Sequence, residues 1–258
     1  MTSTHERATG ETVSFGFQSV PEEARQGLVN EVFSSVAGRY DLMNDLMSGG
    51  LHRLWKDDLI GCLAPPRSER AFHLLDVAGG TGDVTLNALR ASGPGSRVTL
   101  LDISPEMVEV GRRRVAEAGL SERVTFTIAN AEALPFSDKT FDAYTIAFGI
   151  RNVTHIDQAL SEARRVLRPG GRFLCLEFSK VEVPGLDTLY DTYSFKLLPK
   201  IGAYVAQDEE SYRYLAESIR RFPPQAKFAA MIREAGLDQV KVRNLSGGIA
   251  AMHSAWRI

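Results

Sequence analysis

Residues 72–83 read FHLLDVAGGTGD. An apolar run reaches a carboxylate, Asp76, passes at once into a glycine-rich turn, and gives way to VTLNALRA at helical spacing. A strand feeding a helix through such a turn is the first half of a βαβ unit. The rhythm continues outward. RVTLLDIS is a second strand ending in Asp102, RVTFTIANA a third, FDAYTIAFGI a fourth and GRFLCLEFS a fifth. Between them lie PEMVEVGRRRVAEAG, with Ser104 as its cap and Pro105 in its first position, and HIDQALSEARRVL, which RPGG is expected to end. QVKVRNLSGGIAAMHSAWRI closes the chain as two strands around Ser246–Gly247–Gly248. Strands alternating with helices at this spacing predict an α/β fold: a doubly wound, mostly parallel seven-stranded sheet with a C-terminal antiparallel hairpin.

Three other regions complete the organisation. Residues 1–14 are polar and aperiodic, and a disordered tail is expected there. Residues 15–66 read as a helical N-terminal cap: Val29, Val32, Phe33, Val36 and Tyr40 recur at helical spacing, followed by Leu42, Met43, Leu46 and Met47. Gly49–Gly50 stops that pattern, Leu51, Trp55 and Leu59 begin another, and Pro65–Pro66 marks the boundary with the domain over 67–258. Residues 181–222 carry Tyr190, Tyr193, Tyr204, Tyr212 and Tyr214 and are too long for a simple connection, so inserted helices are expected above the sheet.

The totals narrow the function. A chain of 258 residues with a formal net charge of −2 has no general electrostatic pull on nucleic acid. Cys62 and Cys175 stand outside any CxxC or Cys/His spacing, so neither a metal site nor a disulfide is expected. No run approaches the length of a membrane span, and MTSTHERATGET lacks an apolar h-region; the chain is expected in the cytoplasm, at most peripheral to a membrane.

In doubly wound folds ligands bind at the carboxyl ends of the strands, where strand order reverses. Gly79 and Gly80 would let the backbone approach a ligand there, and Asp102 at the end of the next strand suits ribose hydroxyls. That constellation fits a dinucleotide or an adenosyl cofactor such as S-adenosylmethionine. Three details favour the adenosyl group. The GxGxxG fingerprint fails because Thr85 stands where its third glycine belongs. Asp76 would repel a pyrophosphate but attract an ammonium or sulfonium. NAEALPF after the third strand offers Asn130 and the backbone of Ala131 to an adenine edge.

Four stretches then carry a resemblance: YDLMNDLMSGGLHRLW (40–55), LDVAGGTGDVT (75–85), AFGIRNV (147–153) with RVLRPGG (165–171), and GGIAAMHSAW (247–256). The sequence resembles the ubiquinone/menaquinone biosynthesis C-methyltransferases, a branch of the class I S-adenosylmethionine-dependent methyltransferases with a Rossmann-like fold. The resemblance runs from about residue 15 to the C-terminus. It implies methyl transfer from S-adenosylmethionine to a ring carbon of a polyprenylated quinol, benzoquinol or naphthoquinol. It places Thr81, Asp102, Asn130 and Ala131 at the cofactor, and it is compatible with a homodimer or a quinone-biosynthesis complex. The chain departs from it at Ala147, where relatives often have Ser, and at Arg168, where Lys is common.

The implied chemistry needs stabilisation of a developing phenolate, a proton acceptor or an ordered water, and a dry channel for the prenyl tail. Arg151, at the end of the fourth strand, is the candidate to hold the phenolate or orient the water; an arginine is always cationic and is not itself a base. Pairing with an acidic residue is the structural alternative for it. His155 is expected to face solvent. On a helical wheel Tyr40, Leu42, Met43, Leu46 and Met47 share one arc opposite Asp41, Asn44 and Asp45, so this helix is expected to close over the site with Tyr40 at its edge meeting the quinol head. Two other classes compete: a nicotinamide dehydrogenase, disfavoured by Thr85, and a non-catalytic cofactor-binding module. AFGIRN also lacks the Pro-Pro-aromatic cage of base-amino methyltransferases, and neither cysteine follows a proline as in cytosine C-methyltransferases.

Overall fold

The computed structural model describes residues 12–36, 40–185, 190, 192–193 and 209–258. An antiparallel hairpin, β1 (Thr12–Phe15) and β2 (Gln18–Pro21), comes first, then α1 (Glu22–Val36), α2 (Tyr40–Ser48) and α3 (His52–Leu63). The sheet and its helices follow as β3 (Phe72–Val77), α4 (Asp83–Ala91), β4 (Ser96–Asp102), α5 (Pro105–Glu117), β5 (Val124–Ile128), β6 (Phe141–Ala147), α6 (Ile156–Val166) and β7 (Leu167–Phe178). Beyond these lie α7 (Glu209–Arg221), α8 (Gln225–Glu234), β8 (Asp238–Leu245) and β9 (Ala250–Trp256).

The seven-stranded sheet runs β5-β4-β3-β6-β7-β9-β8, parallel from β5 to β7 and antiparallel at β9 and β8. Its central strands are buried on both faces, which is why they read as continuous apolar runs rather than alternating ones. Leu74, Leu174 and Leu176 enter one core with Met43, Met47, Trp55 and Leu59, while Leu75, Val77, Cys175 and Tyr144 enter the other with Leu160 and Phe228. From β3 the chain winds outward to β5, then returns to place β6 on the other side of β3. The carboxyl ends of β3 and β6 are therefore the switch point, where a crevice opens.

Local chemistry sets the boundaries. Ser104 caps α5, its Oγ accepting from the Met107 N–H at 3.2 Å, with Pro105 in the first turn as expected. Gly49 and Gly50, at φ 61° and 80°, end α2 in the left-handed region.

Several details differ from the sequence reading. Residues 12–14, expected in the tail, belong to the hairpin, held because Arg25 Nε donates to the Ser14 carbonyl at 2.7 Å; residues 1–11 lie outside the described residues. RPGG lies within β7 after α6 has ended at Val166: Phe141 faces Leu167 and Ala143 faces Arg172, so residues 168–171 form an irregularity inside the strand. Asn44, on the arc of α2 opposite its apolar residues, is buried, because tertiary packing covers more of this short helix than its apolar stripe. In the expected insertion α7 is a helix with Tyr212 and Tyr214 buried, and the Tyr190 and Tyr193 hydroxyls donate to the carbonyls of Met47 and Leu46. Tyr204 lies outside the described residues.

Candidate active site

The crevice at the switch point holds about 630 Å³ of space, part of it open to solvent. Gly80, Asp102, Asn130 and Ala131, four of the residues singled out from the sequence, line it. An adjoining cavity of about 320 Å³ is lined by Gly79, Gly80 and Thr81 together with Lys56, Asp76 and Asp83. Ala78, Gly80 and Phe148 border both. All six residues assigned to the cofactor thus fall on one continuous pair of cavities.

Backbone geometry makes that floor. A Cβ on Gly79 would stand 2.7 Å from Leu100 Cγ, and Gly80 has φ 51°, so neither position readily accepts a side chain. The Gly80 N–H donates to Asp102 Oδ2 at 2.9 Å and the Ser104 N–H to Oδ1 at 3.0 Å, fixing the carboxylate in the crevice. Burial pushes the Asp102 carboxyl up, against those backbone donors. Ala78 and Phe148, at the ends of β3 and β6, hold φ of 50° and 58°. Left-handed non-glycine residues of this kind cost of order 1–3 kcal/mol and cluster at functional sites, where surrounding packing enforces them.

Asp76 lies deeper. Its two oxygens accept from Thr145 Oγ1 at 2.8 Å and Thr85 Oγ1 at 2.7 Å, and burial raises its carboxyl to about 6 despite both hydroxyls. Thr85, which breaks the dinucleotide fingerprint, thus has a use of its own: it supports the acid. Asp83 takes the Lys56 ammonium at 2.6 Å on one oxygen and Arg114 at 2.6 Å on the other. Against the cost of burial, those two cations hold Asp83 down to about 2. Arg114 also reaches the loop, donating to the Thr81 carbonyl.

The roof comes from α1, within the stretch expected to form a cap. Gln26, Val29 and Phe33 of α1 line the larger cavity, as do Ile103, Met107 and Asn152. Arg25, buried on α1, fastens that roof: its Nη1 donates to the Asn152 carbonyl at 2.8 Å and to Thr154 Oγ1 at 2.9 Å. Tyr214 of α7 donates to Asn152 Oδ1 at 3.1 Å. Val29 and Phe33 were visible as a helical stripe, but nothing in their spacing named the surface they cover.

Arg151 does not line the larger cavity. Its side chain is 1% exposed and donates to Glu177 Oε1 at 2.8 Å and to the Phe148 carbonyl, while its own backbone N–H donates to Glu177 Oε2 at 3.3 Å. Arg151 thus pairs with an acidic residue, because Glu177 lies near the end of the neighbouring strand β7 and a buried carboxylate needs a partner. Burial pushes the Glu177 carboxyl up even beside the guanidinium. His155, expected to face solvent, is about one-third exposed and pairs with Glu22 of α1 at 2.8 Å, which raises its pKa. Tyr40 opens α2, and its side chain lies outside the described residues.

The cavities fit an adenosyl sulfonium bearing an amino-acid tail. A glycine floor admits close backbone approach, Asp102 offers a carboxylate of the kind that suits ribose hydroxyls, and Asp76 offers an anion in the adjoining cavity. Solved structures share the architecture. An S-adenosylmethionine-dependent methyltransferase from Aquifex aeolicus aligns with TM-score 0.59 at 17% identity, covering 84% of this chain and 97% of that one. The cyclase SpnF aligns with TM-score 0.58 at 19% identity, covering 91% and 96%. Such distant likenesses establish the fold alone, and SpnF illustrates that one fold serves different reactions.

The fold, together with a methyltransferase family model that matches residues 12–257, defines a class I S-adenosylmethionine-dependent methyltransferase. The chain belongs to the ubiE/COQ5 methyltransferase family, whose model matches residues 12–257. Ubiquinone/menaquinone biosynthesis C-methyltransferase UbiE of Bradyrhizobium diazoefficiens is 61% identical over 249 residues, covering 96% of this chain and 98% of the relative. The proteins of that name from Methylobacterium nodulans and Brucella abortus are 62% and 58% identical, each over at least 91% of both chains.

Proposed function

We propose that this enzyme transfers the methyl group of S-adenosylmethionine to a ring carbon of a polyprenylated quinol in ubiquinone or menaquinone biosynthesis. The observation that carries the reading is the 61% identity to a C-methyltransferase of that pathway across nearly the whole of both chains. When bound, the cofactor supplies an electrophilic methyl on a sulfonium. Asp102 would hold its ribose, Asn130 and the Ala131 backbone its adenine, and Gly79, Gly80 and Thr81 the approach of the loop. Residues 15–66 act as a cap on the 67–258 domain, with Val29 and Phe33 excluding water so that charge developing in the crevice is not screened.

We assign Arg151 as a positioning residue: its pair with Glu177 and its bond to the Phe148 carbonyl fix the 148–152 loop at the switch point. Tyr40 remains our candidate to meet the quinol hydroxyl, at the start of α2. No helix among the described residues is long and apolar enough to cross a membrane. A prenyl tail is oily, so the enzyme collects its substrate by peripheral contact with a bilayer surface. Quinone-lipid mass spectrometry on cells lacking the protein tests the whole reading. A quinone precursor lighter by one methyl group should accumulate and disappear when the protein is restored; an unchanged quinone profile sinks it.

A further inference from the structure

A separate cleft lies between the N-terminal hairpin, α1, the loop after β6 and α7, with about 670 Å³ of space, part of it open to solvent. Three arginines line it, Arg25, Arg151 and Arg221, and no acidic residue does. The acids nearby are engaged elsewhere. Glu177 pairs with Arg151 and Glu22 with His155, while Glu217 takes the Phe17 N–H and Glu132 the Thr154 and His155 N–H groups. Arg25 is 7% exposed, yet its hydrogen bonds go to the Ser14 and Asn152 carbonyls and the Thr154 hydroxyl, none of them a carboxylate. A buried guanidinium whose partners are all neutral is short of a counter-charge. Arg151 has its Nε buried without an acceptor. Arg221 is exposed, its guanidinium 5.7 Å from the centre of the Phe17 ring.

We propose that this cleft binds a phosphate group, held by Arg25 from α1 and Arg221 from α7. The guanidinium fork matches phosphate oxygens two at a time. A carboxylate brings two oxygens and one charge; a phosphate brings more of both, and so can answer two guanidiniums at once. Thr154 Oγ1 accepts from Arg25, which leaves its own O–H able to donate to the same group. The lip is apolar: Phe222 and Pro223 line the cleft, and Phe17, beside Arg221, is 51% exposed. The rest of the ligand would lie there, as a soluble phosphoester or as a phospholipid at a bilayer surface. Either would fasten the hairpin and α1 to α7. Nothing in the proposal depends on which methyl acceptor the enzyme uses.

The test is calorimetric titration of the full chain with inorganic phosphate and with glycerol 3-phosphate, each against chloride at matched ionic strength. A second arm sediments the protein with phosphatidylcholine vesicles, with and without phosphatidic acid. The wild type should bind at least one phosphate source beyond its control. Arg221→Gln should weaken that binding about tenfold, the worth of one hydrogen bond to a charged group. Arg25→Lys keeps the charge but loses the fork, and should weaken it too. Arg220→Gln removes the same charge from the neighbouring position of α7, outside the cleft, and should leave binding intact. Binding of the soluble probes assigns a free phosphoester, and binding of phosphatidic acid vesicles alone assigns a lipid headgroup; both support the proposal. No binding beyond the controls in either arm overturns it. Binding that Arg221→Gln leaves untouched does the same, as does an equal loss in Arg220→Gln, which would mark general surface attraction. Should Arg25→Lys not fold, the Arg221 and Arg220 variants decide the matter by themselves.

Discussion

Among single residues, Asp76 yields the sharpest consequence. Its folded carboxyl lies near 6, above the ordinary 3.8, because burial disfavours the charge. A raised acid stabilises the fold fully below its unfolded pKa, and that contribution fades as pH rises through about 6. A cationic ligand reverses the preference, since an ammonium beside Asp76 favours the carboxylate. Donor affinity should therefore rise between pH 5 and 7 with release of a proton, and Asp76→Asn should flatten the profile. Calorimetry in buffers of different ionisation heat reads this directly; a flat wild-type profile would remove the ammonium from Asp76. Arg151 makes a second case. Truncation to Ala leaves Glu177 buried without a charged partner, keeping only the Arg151 and Phe178 backbone N–H donors, and should cost about 3–5 kcal/mol in urea unfolding. Replacing both partners, Arg151→Met with Glu177→Leu, should restore most of that stability without restoring turnover. Normal turnover in the double variant would mean that the pair does not position the loop.

Among elements, α1 is the piece whose role is most nearly decided by one side chain. Arg25 reaches the Ser14 carbonyl, the Asn152 carbonyl and Thr154 Oγ1, so a single guanidinium joins the hairpin, the roof helix and the loop after β6. Arg25→Ala should cost about 2 kcal/mol, as expected for hydrogen bonds to a charged group. Hydrogen exchange should speed up across α1 while the β3 and β6 amides stay protected. Uniform loss of protection would show that α1 is not a separately fastened lid. The Glu22–His155 pair supports the same roof. Its histidine pKa is raised, so that contribution is present below the ordinary 6.5 and fades as pH rises through the folded value.

Across the whole molecule, cap and sheet are joined through Trp55. Its ring, 3% exposed, packs edge-on against Phe178 at 6.0 Å and near Phe148 at 6.3 Å, and its Nε1 donates to Ser246 Oγ at 3.0 Å. The 40–55 stretch thus meets the residue just ahead of the terminal GGIAAMHSAW, nearly two hundred residues away in the chain. Trp55→Ala should remove about 3–5 kcal/mol, and Trp55→Phe only about 1 kcal/mol, chiefly the lost hydrogen bond. Thermal unfolding of Trp55→Ala should remain one transition if cap and sheet form a single cooperative body; separate melting of the cap would contradict that coupling.

What the linear order of residues determined is the local chemistry. Apolar runs bounded by glycine turns specify strands, Ser104 and Pro105 specify a helix start, and the glycine loop with Asp76 and Asp102 specifies an adenosyl-type cradle, because each depends on neighbours a few positions apart. The mixed 40–55 stretch named a family for the same reason: its pattern is compact. Tertiary structure alone decided which surfaces meet. Nothing near Arg151 announces Glu177, nothing near Val29 announces the cavity it roofs, and Asn44, opposite the apolar arc of its helix, is buried by other segments. Pairings of that kind are fixed by the order of strands in the sheet and by which buried charge must find which partner. Those are properties of the closed fold, not of any window of the chain.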